Sequence, residues 1–428
     1  MKIFLDTIGC RLNQAEIESM AHQFRASGHE IVATADEADL AVINTCTVTG
    51  DAASDSRGKI RQAARLGADK IVVTGCWATL EPQSAAALPG VNRVVPNLRK
   101  DFLVADVLDL QPSAFNLEPI SREPLPGLRA RTRAFIKVQD GCDNHCTYCI
   151  TAIARGPGRS RPIDEVIAEI QSALVGGTKE VVLTGVHLGS WGQDLNLHLR
   201  DLVATIMKET DTPRLRLSSL EPWDLDADFF ALWQDARMCR HLHLPLQSGS
   251  ANVLRRMARK TTLEAYTALV QSARAAIPDV AVTTDVIAGF PGETEAEFTE
   301  TLDFVRRVGF ARGHVFTYSS RPGTAAARMD GQIRHEVRKE RNAVLRAAFA
   351  ESERSYQQKF LGKIMSVLWE STGQLNDAGW QLEGLTDNYL RVTAVAVEPR
   401  WNQIDGVKLV ALAGEPGDSH LEGDCLLG

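Results

Sequence analysis

Cys142-Asp143-Asn144-His145-Cys146-Thr147-Tyr148-Cys149 places three thiols on one short loop, spaced C-x3-C-x2-C, after the strand-like run Phe135-Ile136-Lys137-Val138. Three thiolates from so short a loop can hold three irons of a cubane cluster and leave the fourth iron without a protein ligand. An iron with open positions can bind and activate a small molecule, whereas a site closed by four protein ligands mostly serves structure or electron transfer. Competing readings of the loop are weaker. Zinc wants a fourth nearby ligand, and His145 could serve only by straining the loop. A disulfide framework does not suit eight cysteines in 428 residues. The chain opens on a strand-like run without a secretory leader, and no apolar stretch approaches the ~18 residues of a membrane span. The thiols are therefore expected in a reducing cytoplasm, as metal ligands, with no membrane partner.

Upstream of the loop, the first ~95 residues alternate strand and helix patterns, which predicts a parallel sheet. Strands are expected at 2–8, 41–43, 71–74 and, briefly, 94–95. A helix from about Asn13 carries Ile17, Met20 and Phe24 on one face and stops at Gly28, and a second covers 54–66. Cys10, Cys46 and Cys76 each fall a few residues past one of the first three strands. Carboxyl ends of parallel strands share one edge, where ligands bind, so three thiols remote in sequence are predicted to converge. Again there are three ligands and again one iron would stay open.

Downstream, a Pro-rich connector at 118–127 marks a boundary, and βα alternation resumes. Six strands are expected to end near Gln139, Thr184, Ser219, Leu246, Ile287 and Thr317, with a helix at 162–175 that has proline in its first turn. Six βα units over ~200 residues suit a partial barrel whose chemistry sits at the carboxyl strand ends. Polar and glycine-bearing segments punctuate those ends: 184–186 with Gly185, 218–222 with Ser219, 243–250 with Gln247, and 285–293 with Asp285. Each alone could be an ordinary turn; together, on one barrel mouth, they predict a pocket. His187 and His241 are expected to be structural. A long helix is predicted over 335–361, then a small β-barrel or sandwich with strands at 364–369, 380–385, 389–395 and 407–412.

Over nearly its whole length this order resembles the methylthiotransferases, a radical S-adenosylmethionine (SAM) family. The shared marks are the cysteine loop with Tyr148 before its last thiol, the three upstream cysteines and the small β-domain. The fold class is α/β: an N-terminal parallel α/β domain (1–118), a central partial (βα)6 radical-SAM barrel (128–361) and a small C-terminal all-β, TRAM-like domain (362–428). Gly9-Cys10-Arg11-Leu12-Asn13-Gln14 and Asn44-Thr45-Cys46-Thr47-Val48-Thr49 are most similar to the bacterial type acting on N6-threonylcarbamoyladenosine in tRNA.

The resemblance implies two 4Fe-4S clusters. Cys142, Cys146 and Cys149 would bind the radical-forming one and Cys10, Cys46 and Cys76 an auxiliary one that delivers sulfur. It also implies SAM in a pocket that includes Tyr148, Gly185, Ser219, Gln247 and Asp285. The 5′-deoxyadenosyl radical made from SAM would take hydrogen from adenine C2, a bond no side-chain acid or base breaks at neutral pH, and a second SAM would supply the methyl. The implied product is 2-methylthio-N6-threonylcarbamoyladenosine next to the anticodon. The implied partners are tRNA and a small electron-transfer protein as reductant, with the sulfur donor unassigned. Alternatives at this stage are a methylthiotransferase acting on isopentenyladenosine or on a ribosomal-protein aspartate, and a non-catalytic iron–sulfur sensor that binds RNA.

Charge gives little support to RNA binding. The net charge is −7, and residues 363–428 hold four Lys/Arg against ten Asp/Glu. Either a small basic face survives within that acidic balance, or the phosphate contacts fall to Arg129, Arg131, Arg133 and Lys137, with Arg155, Arg159 and Arg161.

Overall fold

In the computed structural model, which describes residues 1–110, 132–226, 228–376 and 379–426, a five-stranded parallel sheet opens the chain. Its elements are β1 (Lys2–Thr7), α1 (Arg11–Ala26), β2 (Glu30–Val32), β3 (Leu40–Thr45), α2 (Gly50–Arg65), β4 (Ile71–Gly75), α3 (Cys76–Leu80), α4 (Pro82–Ala86), β5 (Val91–Val95) and α5 (Leu103–Leu108). The strand order is β2-β1-β3-β4-β5. Every strand pair is parallel, so all carboxyl ends meet on one edge. Leu40 to Thr45 is buried at every residue, as a strand covered on both faces must be. Helix α1 places Ile17, Met20 and Phe24 in the core and ends before Gly28, which takes φ +78°. It starts two residues before the expected Asn13, with Cys10 at its N-cap.

The central unit runs β6 (Arg133–Lys137), β7 (Gln139–Asp140), α6 (Thr151–Arg155), β8 (Arg159–Ser160), α7 (Ile163–Val175), β9 (Glu180–Thr184), α8 (Leu199–Glu209), β10 (Leu215–Leu217), β11 (His241–His243), α9 (Ala251–Arg256), α10 (Leu263–Ala276), β12 (Ala281–Ala288), α11 (Glu295–Val308), β13 (Arg312–Thr317) and α12 (His335–Gln358). Two parallel three-stranded sheets, β6-β9-β10 and β11-β12-β13, join through the Ser219–His243 bridge into six strands of a partial barrel. One core fills it, from Ile136 and Leu183 through Leu217 and Leu242 to Val286 and Phe304. Pro162 stands at the N-cap of α7 rather than inside its first turn. The connector 118–127 lies outside the described residues.

The last unit is a closed barrel rather than a sandwich, in the order β14-β15-β16-β18-β17. Its strands are β14 (Ile364–Asn376), β15 (Gly379–Thr386), β16 (Arg391–Ala396), β17 (Ile404–Ala413) and β18 (His420–Cys425). Strand β18 was not foreseen, because His420-Leu421-Glu422-Gly423-Asp424-Cys425 has one large apolar residue and two carboxylates. Leu421 alone points fully into the core. Among the described residues no helix is long and apolar enough to cross a membrane.

Candidate active site

The upstream trio forms because three strand ends deliver it. Cys10 caps α1, Cys46 follows β3, and Cys76 is the first residue of α3. Glycine makes the convergence sterically feasible. At Gly9, φ is +107° and an added Cβ would lie 2.6 Å from Cys46 Sγ; at Gly75, φ is +99° and it would lie 2.2 Å from the Thr45 carbonyl oxygen. Cys10 and Cys76 both lie close enough to act electrostatically on the Cys46 thiol, which burial pushes up from its ordinary value. Asn13 ties the edge together, its Nδ2 donating to the carbonyls of Ile8 (2.7 Å) and Thr45 (3.2 Å).

The loop trio is shaped by donors aimed at sulfur. The Asn144 amide donates to Cys142 Sγ (3.4 Å), the Thr151 amide to Cys149 Sγ (3.4 Å), and Arg259 Nη1 lies 3.8 Å from Cys146 Sγ. Burial pushes the Cys146 and Cys149 thiols up, and each feels a neighbouring cysteine of the loop. As free thiols they hold their protons, and binding iron would release them. Donors directed at sulfur are among the groups that set a cluster's potential. Among the described residues no three His, Cys, Asp or Glu side chains are gathered as around one metal ion. Three thiols on one short loop, each able to bind a different iron, suit a cubane cluster, whereas zinc would take a fourth nearby donor.

The two trios are held together by buried charge. Arg155, six residues beyond Cys149, donates to Glu16 Oε1 (2.8 Å), Asp140 Oδ1 (2.9 Å) and Asn13 Oδ1 (2.8 Å), and Lys100 meets Glu16 Oε2 at 2.8 Å. Glu16 is fully enclosed. Burial opposes its charge, but Arg155, Lys100 and Lys137 outweigh that and hold it well below the usual carboxylate range. Asn97 makes a second link, donating to Cys76 Sγ (3.5 Å) and to the Ala154 carbonyl (2.8 Å). The upstream trio therefore faces the thiol loop of the barrel.

The other expected site residues stand as follows. Tyr148 packs beside Val253, Met257, Phe290 and Tyr318, and burial pushes its phenol well up. Ser219 and Gln247 occupy strand-end bridges, to His243 and Val286, and Gln247 takes φ +73°. Asp285 sits between His243 Nε2 (3.2 Å) and His314 Nδ1 (3.3 Å); burial opposes its charge, but these bonds hold it below the usual range. At Gly185 the close neighbour is protein: an added Cβ would lie 3.0 Å from Gln139 Oε1.

Several expectations need correction. Arg155 is buried in the network above and Lys137 beside it, so neither meets phosphate. Arg133 is spent on Glu370 of the last barrel (2.6 Å), and Arg161 on Glu169 (2.5 Å). Arg159 retains a partly exposed side chain, while Arg129 and Arg131 lie outside the described residues. His187, expected to be structural, adjoins the thiol loop. Its Nε2 is 2.6 Å from Asp224 and its Nδ1 3.3 Å from Asn144. Burial works against its charge, but Asp224 and the Cys142 sulfur outweigh it and push His187 up to about 10. Its place two residues past Gly185 was the available signal. His241 is structural, stacked on Tyr389 at 4.5 Å. Glu221, inside the 218–222 strand-end segment but not singled out by the sequence, grips Arg259 at 2.6 Å beside Cys146.

A six-stranded partial barrel with a three-thiol loop at its mouth defines a radical SAM protein. Residues 136–305 match the radical SAM superfamily, and residues 2–96 match the uncharacterized protein family UPF0004. Curated relatives extend over most of the chain. A threonylcarbamoyladenosine tRNA methylthiotransferase of Bacillus subtilis is 37% identical over 426 residues, 96% of this chain and 94% of its own. A tRNA-2-methylthio-N(6)-dimethylallyladenosine synthase of Caldicellulosiruptor saccharolyticus is 36% identical, over 89% of this chain and 84% of its own. Among solved structures, a radical SAM methyltransferase from Kitasatospora setae shares the fold, with TM-score 0.58 and 16% identity over 76% of this chain and 77% of that one. The chain belongs to the radical SAM methylthiotransferase family.

Proposed function

We propose that this chain inserts a methylthio group at C2 of N6-threonylcarbamoyladenosine beside the anticodon of tRNA, in the cytoplasm. The observation that carries the reading is the pair of cysteine trios on facing edges, tied through Arg155 and Asn97, in a chain 37% identical to a threonylcarbamoyladenosine enzyme over almost its full length. Cys142, Cys146 and Cys149 would hold the cluster that receives SAM, and Cys10, Cys46 and Cys76 the auxiliary one. Bound there, the clusters and SAM supply the radical, sulfur and methyl chemistry that side chains cannot.

The residues of this chain do the rest. Glu221 holds Arg259 against Cys146, and Asp224 holds His187 toward Cys142, so charge around the loop is fixed before any ligand arrives. Tyr148, with Tyr318 and Phe290, walls one side of the mouth and excludes water. Ser219, Gln247 and Asp285 stand at the strand ends that would receive SAM, and Gly185 would let Gln139 pack close behind them. The Arg155 network fixes one trio relative to the other, the alignment that sulfur delivery to a carbon radical requires. A small electron-transfer protein is proposed as reductant.

Nucleoside analysis of tRNA from a strain lacking the gene tests the assignment. The methylthio derivative of threonylcarbamoyladenosine should vanish and its unthiolated precursor accumulate; persistence of the derivative, or loss of methylthio-isopentenyladenosine instead, contradicts it. With purified enzyme, Cys46→Ala should abolish thiolation while SAM is still cleaved on reduction. Loss of both would contradict separate roles for the trios.

A further inference from the structure

Three buried arginines adjoin the six candidate ligand cysteines, and they are not alike. Arg155, by Cys76, is satisfied by the carboxylates of Glu16 and Asp140 at 2.8 and 2.9 Å. Arg259, by Cys146, is satisfied by Glu221 at 2.6 Å. Arg321, by Cys46, has no ion pair among the described residues. It is 9% exposed, its Nη2 donates to Ser319 Oγ at 2.9 Å, and its Nε is buried without a partner. Burial outweighs the pull of Cys46, Asp51 and Tyr318 and moves Arg321 down from the ordinary arginine range, yet a guanidinium starts so far above neutrality that it keeps its charge. Asp51 and Cys46 reach it only through the field, with no carboxylate within 4.0 Å among the described residues, and a buried cation without a directly paired anion is expensive unless a ligand supplies one.

Its position is defined by neighbours from both sides. Nη2 lies 3.6 Å from where a Cβ on Gly50 would stand, and Gly50 opens α2 four residues after Cys46. Gly323 of the same loop rests against Ile150 and Ile153, just past Cys149. The loop after β13 thus spans from one trio to the other and carries an unpaired guanidinium between them.

We propose that Arg321 is the specificity-determining cation that receives the carboxylate of the substrate's N6-threonylcarbamoyl group. The chemistry of the base supports this placement. C2 and C6 flank the same ring nitrogen, so an anion carried on N6 lies on the ring edge that includes C2. A residue gripping that anion belongs beside the trio assigned to sulfur delivery, which is where Arg321 stands. A guanidinium matches a carboxylate bidentately, and a dimethylallyl group offers it nothing. The inference rests on the proposed function and names the part of the site that selects its substrate.

The test uses anaerobically reconstituted holoenzyme and two anticodon stem-loop RNAs, one bearing threonylcarbamoyladenosine and one with the threonine carboxylate replaced by carboxamide. Wild type should bind the carboxylate RNA about tenfold or more tighter, the range of one charge-assisted pair. Arg321→Gln should bring the ratio near one, and Arg321→Lys should keep part of it. The inference is overturned if wild type shows no preference, a result that needs no variant. It is equally overturned if Arg321→Gln keeps the wild-type ratio. Both RNAs weakening alike would then mark a phosphate contact, a changed auxiliary-cluster absorption would mark charge neutralisation of the thiolates, and weakened SAM binding a cofactor contact. Failure of the proposed function reads differently: wild type supplied with SAM, sulfide and reductant would leave the threonylcarbamoyladenosine RNA without a methylthio group.

Discussion

At Arg155 a single side chain ties the segment after the thiol loop to the helix that follows Cys10. It is fully buried, touches two carboxylates, and stands between the cysteine loop that precedes it and the Cys10–Asn13 turn of the other sheet. Arg155→Met removes the cation and strands Glu16 and Asp140 in a dry environment. Breaking a buried pair this way costs about 3–5 kcal/mol, so denaturant unfolding of the apo protein should shift by that order. Glu16→Gln with Arg155→Met should be milder than Arg155→Met alone; equal losses would show that the two do not act as a pair. Cysteine spacing marked out six candidate ligands, because spacing is a property of the chain. Arg155 could not be foretold in the same way. From the sequence it was one of several arginines after the loop, read as a phosphate contact, and nothing local reveals that Glu16 waits for it on α1.

Elements that carry their own signal were legible where the sequence was read for them, as with α7, expected at 162–175 and found at Ile163–Val175; α11 carries such signals too. Helix α11 has Thr294 and Glu297 as a reciprocal cap at its start and Gly309, φ +63°, at its end. Arg256 reaches this cap from α9, bonding both Glu297 oxygens at 2.9 Å. The bond to Arg256 and the donors of Thr294, against some burial, hold Glu297 down to about 2. For a depressed carboxylate the stabilisation is complete above its unfolded value, ~4.3, and is lost as pH falls toward 2. Glu297→Gln should therefore flatten the decline in stability below pH ~4.3; an unchanged acid limb contradicts the pairing. Elements whose reason is tertiary were not legible. Strand β2 has three residues and exists by pairing with β1, and β18 closes a barrel with Leu421 as its main apolar contribution. Neither has enough periodicity to register alone.

Across the whole molecule, the last barrel docks against the first ends of the central strands. Tyr389 is at the centre, stacked on His241, beneath Arg216 at 4.9 Å, with its hydroxyl accepting from Arg11 at 2.5 Å. Asp387 pairs with Arg240 at 2.6 Å, and Arg214 donates to Ser366 and Leu385. Arg11 follows Cys10, so the C-terminal unit touches the chain beside the upstream trio. Three of its four basic residues are already ion-paired: Arg391 with Asp418, Arg400 with Asp405 and Lys363 with Asp279. The acidic balance seen in the sequence thus corresponds to a unit that plugs the barrel foot and leaves little cationic surface for phosphate. Tyr389→Ala should loosen this docking, seen as faster amide exchange in β14–β18 with little change around β3 and β4; uniform protection would contradict it.

Iron and sulfide content of the anaerobically reconstituted protein, measured for wild type and for Cys10, Cys46 and Cys76 replaced together by alanine, tests the central claim most directly. Two independent cubanes predict about eight irons in wild type and about four in the triple variant, with SAM cleavage surviving the loss. About four irons in wild type, or removal of all iron by the triple change, would contradict two separate clusters.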